Sequence, residues 1–298
     1  MNLLNFAPAL WSRAMSIRIL MLASVMLIAG CKGMPTRTDA ARPSAAPAPS
    51  KVEQVTDLSA ITTALAAAGS RKTLLVIDID DTLLTSTGFF GSDSWYEWEK
   101  SLPEEQKVAC KFDLIALNYE AGTQVLTQPD APALVNALTV DRILLTSRGA
   151  NYRAGTIREL KQYGYQLPAP LGGPARGAMW TWTDPESQRQ VPVSYDSGVF
   201  MTTGANKGLV LLDLLNDRGL TYDHIILADD GRRNIDNMQA ALAKANISYH
   251  GLWYTRIDKT VSDDDKKQGH AGLAAWKSLL QTVYPERWAR FEQKQCFN

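Results

Sequence analysis

One short stretch restricts the architecture of this chain more than any other. Leu74-Leu75-Val76-Ile77 runs straight into Asp78-Ile79-Asp80-Asp81-Thr82. Four apolar, partly β-branched residues in a row describe a strand buried on both faces, the pattern of a parallel sheet covered by helices. The carboxylates at its end are costly to hold together unless a cation neutralises them or some stay protonated. Side chains alternate along a strand, so Asp78 and Asp80 point to one side and Ile79 to the other. Two acids so placed can divide the work of nucleophile and proton carrier. The competing reading is an Asp-rich turn that merely caps the strand.

The pattern recurs downstream. Arg142-Ile143-Leu144-Leu145-Thr146, His224-Ile225-Ile226-Leu227-Ala228 and Ser248–Tyr254 read as further strands. Between them lie helical spacings: Leu58, Ile61 and Leu65 with Gly69 as a stop; Ile157 and Leu160 behind Asn151 as a cap; Leu209, Leu212 and Leu215 behind Asn206; and Ile235, Met238 and Leu242. Strands alternating with helices imply an α/β fold, a Rossmann-like parallel sheet with helices on both faces. In such folds sites gather at the carboxyl ends of strands. Residues 86–130, with Phe89, Phe90, Trp95, Tyr96 and Trp98, break the alternation and read as a flap and small inserted helical cap. Their aromatic residues suit either ordinary core or a lid that excludes water. Residues 168–200, with Trp180 and Trp182, read as a loop or short hairpin near the site.

Length and composition set the outer limits. A chain of 298 residues, 45% of them hydrophobic, can build one domain with an insertion. Lys+Arg and Asp+Glu both number 31, which gives no support for nucleic-acid binding. The three histidines, His224, His250 and His270, lack zinc-ligand spacing. Met15–Ala29 is apolar apart from Ser16, Arg18 and Ser24, and reads as a secretory signal rather than a membrane span. Leu27-Ile28-Ala29-Gly30-Cys31 resembles a bacterial lipobox. That resemblance implies cleavage before Cys31, lipidation of its sulfur and a bacterial periplasmic protein. With Lys32 next, it leans towards the outer membrane. Residues 32–54, rich in Pro, Ala and Ser, read as a flexible tether, and 55–298 as the globular domain. An oxidising compartment permits Cys110 and Cys296 to pair, while two separate thiols remain the other reading.

The four strand ends together resemble the haloacid dehalogenase superfamily of phosphatases. Asp78-Ile79-Asp80-Asp81-Thr82 resembles its first motif, D-x-D-x-T. Thr146 resembles the second, Lys207 the third, and Ala228-Asp229-Asp230 the fourth, in the family's order over roughly residues 55–260. The Gly-Ser-Asp-Ser-Trp run at 91–95 and the Asp230–Asn237 stretch resemble a bacterial lipoprotein branch similar to class C acid phosphatases. The resemblance implies a phosphomonoester hydrolase using magnesium and a small phosphorylated substrate. Asp78 is then the nucleophile and Asp80 the general acid/base, with Thr146 donating to a phosphate oxygen. The implied metal ligands are Asp78, the Asp80 backbone carbonyl and Asp230, with Asp229 binding directly or through water. Asn234, Asp236 and Asn237 at the head of the next helix are candidates to orient that shell, or plain helix caps. Arg148 is a candidate for reaching the substrate or pairing with an acid.

Each role has physical support apart from the resemblance. Phosphoryl transfer needs an in-line nucleophile, a cation on the phosphate oxygens and positioned donors. Lys207 falls in the first turn of an expected helix, where the dipole disfavours a cation by about 0.3–1 kcal/mol. An anionic partner reverses that sign. The rivals to a phosphatase are a phosphotransferase of the same fold and a catalytically silent binding or scaffold lipoprotein.

Overall fold

The computed structural model describes residues 48–172 and 178–296. The expected signal segment, Cys31 and the first part of the tether lie outside the described residues. In chain order the first half runs β1 (Ser50–Val55), α1 (Ala60–Ala68), β2 (Thr73–Ile77), β3 (Leu84–Ser86), α2 (Asp93–Lys100), α3 (Lys111–Ala121), β4 (Gln124–Leu126), α4 (Ala131–Asn136), β5 (Asp141–Thr146) and α5 (Arg153–Gln162). The second half runs β6 (Ala178–Thr183), β7 (Gln190–Asp196), β8 (Val199–Met201), α6 (Lys207–Asp217), β9 (His224–Asp229), α7 (Arg232–Lys244), β10 (Ser248–Tyr254), α8 (Asp263–Val283) and α9 (Pro285–Glu292).

Eight strands form one sheet in the order β1-β10-β9-β2-β5-β8-β7-β6. The first six are mutually parallel, and β7 and β6 continue the sheet antiparallel. This is a mostly parallel α/β sheet flanked by helices. All five residues of β2 are buried, as its apolar run demands. Alternation divides them: Leu75 and Ile77 join the core beneath α1, α4 and α5, while Leu74 and Val76 join the core beneath α6 and α7. The two helices on that second face pack closely because Gly208 carries no side chain. A Cβ there would meet the Asn237 carbonyl oxygen and the Ala241 methyl, each at 2.7 Å.

Several expectations are revised. Ser50–Val55 does not belong to the tether: it pairs in parallel with β10 from Ser50↔Tyr249 to Val55↔Tyr254. Its half-polar sequence suits an edge strand, which buries little. Asn151 is not a helix cap, because it lies inside a 3-10 turn over Ala150–Tyr152 that leads into α5. Asn206 does cap α6, its Oδ1 accepting from the backbone N–H of Gly208 (3.1 Å) and Leu209 (3.2 Å). Of the loop and the hairpin expected for residues 168–200, the structure has the hairpin: β6 and β7 pair antiparallel and extend the main sheet, and Trp180 stacks on Phe200 at 5.7 Å.

The inserted segment leaves and returns through β3 and β4, which pair antiparallel from Leu84↔Leu126 to Ser86↔Gln124. Its aromatic residues pack into the core or against it. Trp95 is buried against Phe90, and the Phe89, Phe90 and Trp95 rings crowd Gly269 and Gly272 of α8. Glu99, fully buried, pairs with Lys111 and accepts the Val108 N–H at 2.9 Å. The chain's last helices fasten this insertion: Trp276 Nε1 donates to Asn118 Oδ1 at 2.8 Å, and Cys110 is disulfide-bonded to Cys296. Helix α8 itself starts on a capping box between Ser262 and Asp265. Among the described residues no helix is long and apolar enough to cross a membrane.

Candidate active site

Parallel pairing brings the carboxyl ends of β2, β5 and β9 side by side, and the acid-rich segments follow. Asp78 stands one residue beyond β2, its N–H donating to Ala228 O at 2.9 Å. Asp229 closes β9. The Lys207 side chain, fully buried, lies between them: its ammonium is 2.6 Å from Asp78 Oδ1 and 2.7 Å from Asp229 Oδ2. The Lys207 placement that looked costly at a helix start is thus compensated by two carboxylates. Burial works against its charge, but Asp229 and then Asp78 outweigh it and hold the ammonium above the ordinary lysine range. Burial likewise pushes Asp78 well above the usual carboxylate range; Lys207 opposes this, while Asp229, Asp230 and Asp80 add to it.

Asp229 is fully engaged. Besides Lys207, its Oδ1 accepts from Gly231 N (2.8 Å) and Asn234 Nδ2 (3.0 Å). Asn234 therefore supports the acid cluster. Asp236 does not: it pairs on the surface with Arg232 at 2.9 Å, one helical turn back. Asn237 lines a separate cleft. Asp230 is differently placed. Its backbone N–H donates to Thr82 Oγ1 at 3.1 Å and its Oδ2 pairs with Lys259. Its other carboxylate oxygen takes no hydrogen bond among the described residues. Burial pushes the Asp230 carboxyl up to about 7 against the opposing charge of Lys259.

Asp80 faces a different partner. Arg148, buried two residues beyond the end of β5, grips it in a fork: Nε lies 3.0 Å from Oδ2 and Nη2 2.8 Å from Oδ1. Forked, charge-assisted contacts of this kind fix geometry as well as charge. Thr156 Oγ1 accepts from Arg148 Nη1 at 2.7 Å, and the Tyr119 ring lies 3.9 Å from the guanidinium carbon. Thr146 Oγ1 accepts the Arg148 N–H at 3.1 Å and donates to Asp80 Oδ2 at 3.3 Å. Burial works against the Asp80 charge, but Arg148 outweighs it and holds that carboxyl below the usual range. Asp78 and Asp80 thus have opposite settings two residues apart.

The sequence reading missed Lys259. It lies between β10 and α8 and reaches Asp81 (2.8 Å), Asp93 (2.5 Å) and Asp230. Asp93 opens α2, so one ammonium joins the inserted segment, the first acid run and the β9 acids. Asp81, at φ +52°, adopts a left-handed conformation that Asp tolerates better than most residues. Lys259 sits in a loop with no periodicity and no motif, so no sequence signal marks it. The same holds for Tyr119 under Arg148.

One oxygen from each of Asp78, Asp229 and Asp230 lies within 4.8 Å of the others. An all-oxygen donor set with spare lone pairs on Asp78 and Asp230 fits a hard divalent cation.

A family model matches residues 54–287, nearly the whole described sheet and the entire acid cluster. The chain belongs to the family DUF2608, proteins of unknown function. No curated protein sequence matches it. Among solved structures it is similar to a class C acid phosphatase from Bacillus anthracis, with TM-score 0.33 and 13% identity over 71% of this chain and 83% of that one. The tungstate-bound form of that enzyme gives TM-score 0.33 at 14% identity, with the same shares covered. The HAD domain of the effector protein Lem4 from Legionella pneumophila, an inactive mutant, gives TM-score 0.33 and 10% identity over 69% and 98%. Likeness this loose carries no argument about what the chain does.

Proposed function

We propose that this chain is a magnesium-dependent phosphomonoester hydrolase of the haloacid dehalogenase type, acting through an aspartyl-phosphate on Asp78. The observation that carries the reading is the meeting of Asp78, Asp229 and Asp230 at adjacent strand ends, with the Lys207 ammonium between Asp78 and Asp229. Asp78 holds Lys207 with Oδ1, which leaves its second oxygen for attack on phosphorus. Lys207 steadies the attacking carboxylate and offers its charge to a phosphate oxygen. The Asp78 oxygen bonds to phosphorus as the bond to the leaving alcohol breaks. Asp80 then takes a proton from the water that attacks the same phosphorus and releases Asp78. That proton is the one Asp80 gives to the leaving oxygen of the next turnover, and the Arg148 fork favours the ionised form that Asp80 takes between the two halves.

Magnesium would be held by Asp78, Asp230 and the Asp80 backbone carbonyl, since the Asp229 oxygens are already engaged by Lys207, Gly231 and Asn234. Bound there, it supplies positive charge that favours ionised Asp78 and screens the phosphate oxygens. The lipid-anchored periplasmic placement, with the outer membrane as its surface, belongs to the same proposal. It draws support from the Leu27–Cys31 run and from the Cys110–Cys296 bond, which an oxidising compartment preserves.

The test is release of a chromogenic alcohol from an aryl phosphate by the purified full-length chain, with magnesium and with EDTA. Release that needs magnesium and is lost in Asp78→Asn is expected. Equal rates in parent and variant would remove Asp78 from the chemistry, and no release by either would favour the scaffold reading. New phosphoesters formed with added alcohols would mark a phosphotransferase.

A further inference from the structure

A second cleft opens at the same edge of the sheet, and its chemistry is the reverse of the acid cluster. Strand β8 runs parallel to β5, β7 antiparallel to β8, and β6 antiparallel to β7. The turn joining β6 to β7 therefore lies at the carboxyl edge, where Asp78, Thr146 and Asp229 stand. Between this turn and the starts of α6 and α7 is a cavity of about 270 Å³. Arg189 and Arg233 line it, with Asn206, Asn237 and the face of buried Trp182. Among the described residues the Arg189 guanidinium donates to two carbonyls, Thr203 O and Gly204 O, both at 3.3 Å, which orient it without cancelling its charge, and that charge also reaches Asp184. No ion pair or side-chain hydrogen bond engages the Arg233 guanidinium among the described residues. The one acid in the wall, Asp184, already accepts the N–H groups of Glu186 (2.8 Å) and Ser187 (2.9 Å). Two guanidiniums against one engaged carboxylate leave the cleft positive, and guanidiniums match phosphate or carboxylate geometry.

We propose that this cleft is a subsite for a second, non-reacting anionic group of the substrate, a phosphate or a carboxylate. For the reacting group the inference rests on the phosphatase reading above; the cleft itself does not. Its walls are covalently next to the acid cluster. Asn206 precedes Lys207, and Arg233 precedes Asn234, the donor to Asp229. Neighbouring Cα atoms are about 3.8 Å apart, and successive helical residues point in different directions. The same two helix starts thus present one set of side chains to the acids and the next to the cleft. The preferred substrate then carries two anionic groups, with the reacting phosphoryl at Asp78 and the other between Arg189 and Arg233.

Two measurements test this with 1,4-butanediol bisphosphate and butyl phosphate as probes, in magnesium. Calorimetric binding to full-length Asp78→Asn, which does not depend on turnover, should favour the bisphosphate at least tenfold. Adding Arg233→Gln should remove most of that preference, Arg189→Gln with Arg233→Gln all of it, and Arg233→Lys little. Butyl phosphate binding should not move. In the otherwise unaltered enzyme the double substitution should raise KM for the bisphosphate about tenfold and leave kcat, and both constants for butyl phosphate, unchanged. Equal binding of the two probes, or a preference that survives the double substitution in a folded protein, would overturn the subsite. Arginine-dependent binding without any hydrolysis would retain the subsite and refute the phosphatase reading instead.

Discussion

Lys207→Met puts the physics of the site to its hardest test. The substitution keeps the apolar stem and removes one charge from a position with no exposed surface. Asp78 and Asp229, both buried, lose the cation at 2.6 and 2.7 Å that offsets them. Breaking a buried ion pair in this way costs about 3–5 kcal/mol, because the abandoned charge stays desolvated. The cost must depend on pH. Lys207 is itself held above the ordinary lysine range, so it stays charged throughout the acid and neutral range. Asp78 is already raised by burial, and Lys207 is the largest influence opposing that rise. Without it, Asp78 moves further up. A carboxyl raised on folding binds more protons in the folded state, so stability falls as pH climbs from the unfolded value of about 4 through the folded one. Urea denaturation of the full-length chain in EDTA, at pH 4.5 and pH 8, reads both quantities. The expected loss is about 3–5 kcal/mol at pH 8 and less than half of that at pH 4.5. An equal loss at both pH values, or a loss below about 1 kcal/mol at pH 8, would refute the claim that Lys207 neutralises buried carboxylates.

Three further outcomes are expected. Arg148→Met frees Asp80 from the guanidinium that holds it ionised, so the acid limb of the pH–rate profile should move to higher pH; an unmoved limb would separate Asp80 from that limb. His224 is buried beside Arg71 and lowered to about 4, first by burial and then by that charge. It binds fewer protons folded than unfolded, so stability should fall by about 2–3 kcal/mol as pH drops from about 6.5 to about 4, and His224→Gln should flatten that slope in melting curves. Replacing Cys110 and Cys296 by Ser removes a link across 186 residues of sequence, and loss of a native disulfide typically costs about 2–5 kcal/mol. Denaturant titration of the double variant checks this, and a loss near zero would mean that α8 and the insertion hold together unaided.

Much of this architecture could be read from periodicity because burial writes itself into composition. β2, β5 and β9 are buried strands, and their apolar runs marked them; α6 and α7 declared themselves through apolar residues at helical spacing and, at Asn206, a cap. β1 was invisible for the opposite reason. An edge strand with sequence Ser50-Lys51-Val52-Glu53-Gln54-Val55 leaves half its residues exposed and the rest only partly buried, and resembles a linker. Helix α8 presents mostly exposed residues, and Gly269 and Gly272 there look like breakers until the aromatic rings against them are seen. The site divides in the same way. Asp78 and Asp80 were marked by the apolar run they follow, whereas Thr146, Lys207, Asp229 and Asp230, at strand ends or the head of a helix, were singled out by the resemblance to the haloacid dehalogenase motifs. Lys259 depends on a loop returning across the acids, and nothing local in Ile257-Asp258-Lys259-Thr260 encodes that return.

The crosslink between Cys110 and Cys296 also sets an order of events. When Cys110 is first made, its partner is 186 residues away and does not yet exist. Thr146, Lys207, Asp229 and Lys259 are all synthesised in that interval. An oxidant meeting an unfinished chain finds Cys110 without Cys296, and the clasp can shut only on a chain that already contains every one of those residues. Truncated products would keep a reactive sulfur that complete molecules have hidden, a chemical mark by which the two can be told apart.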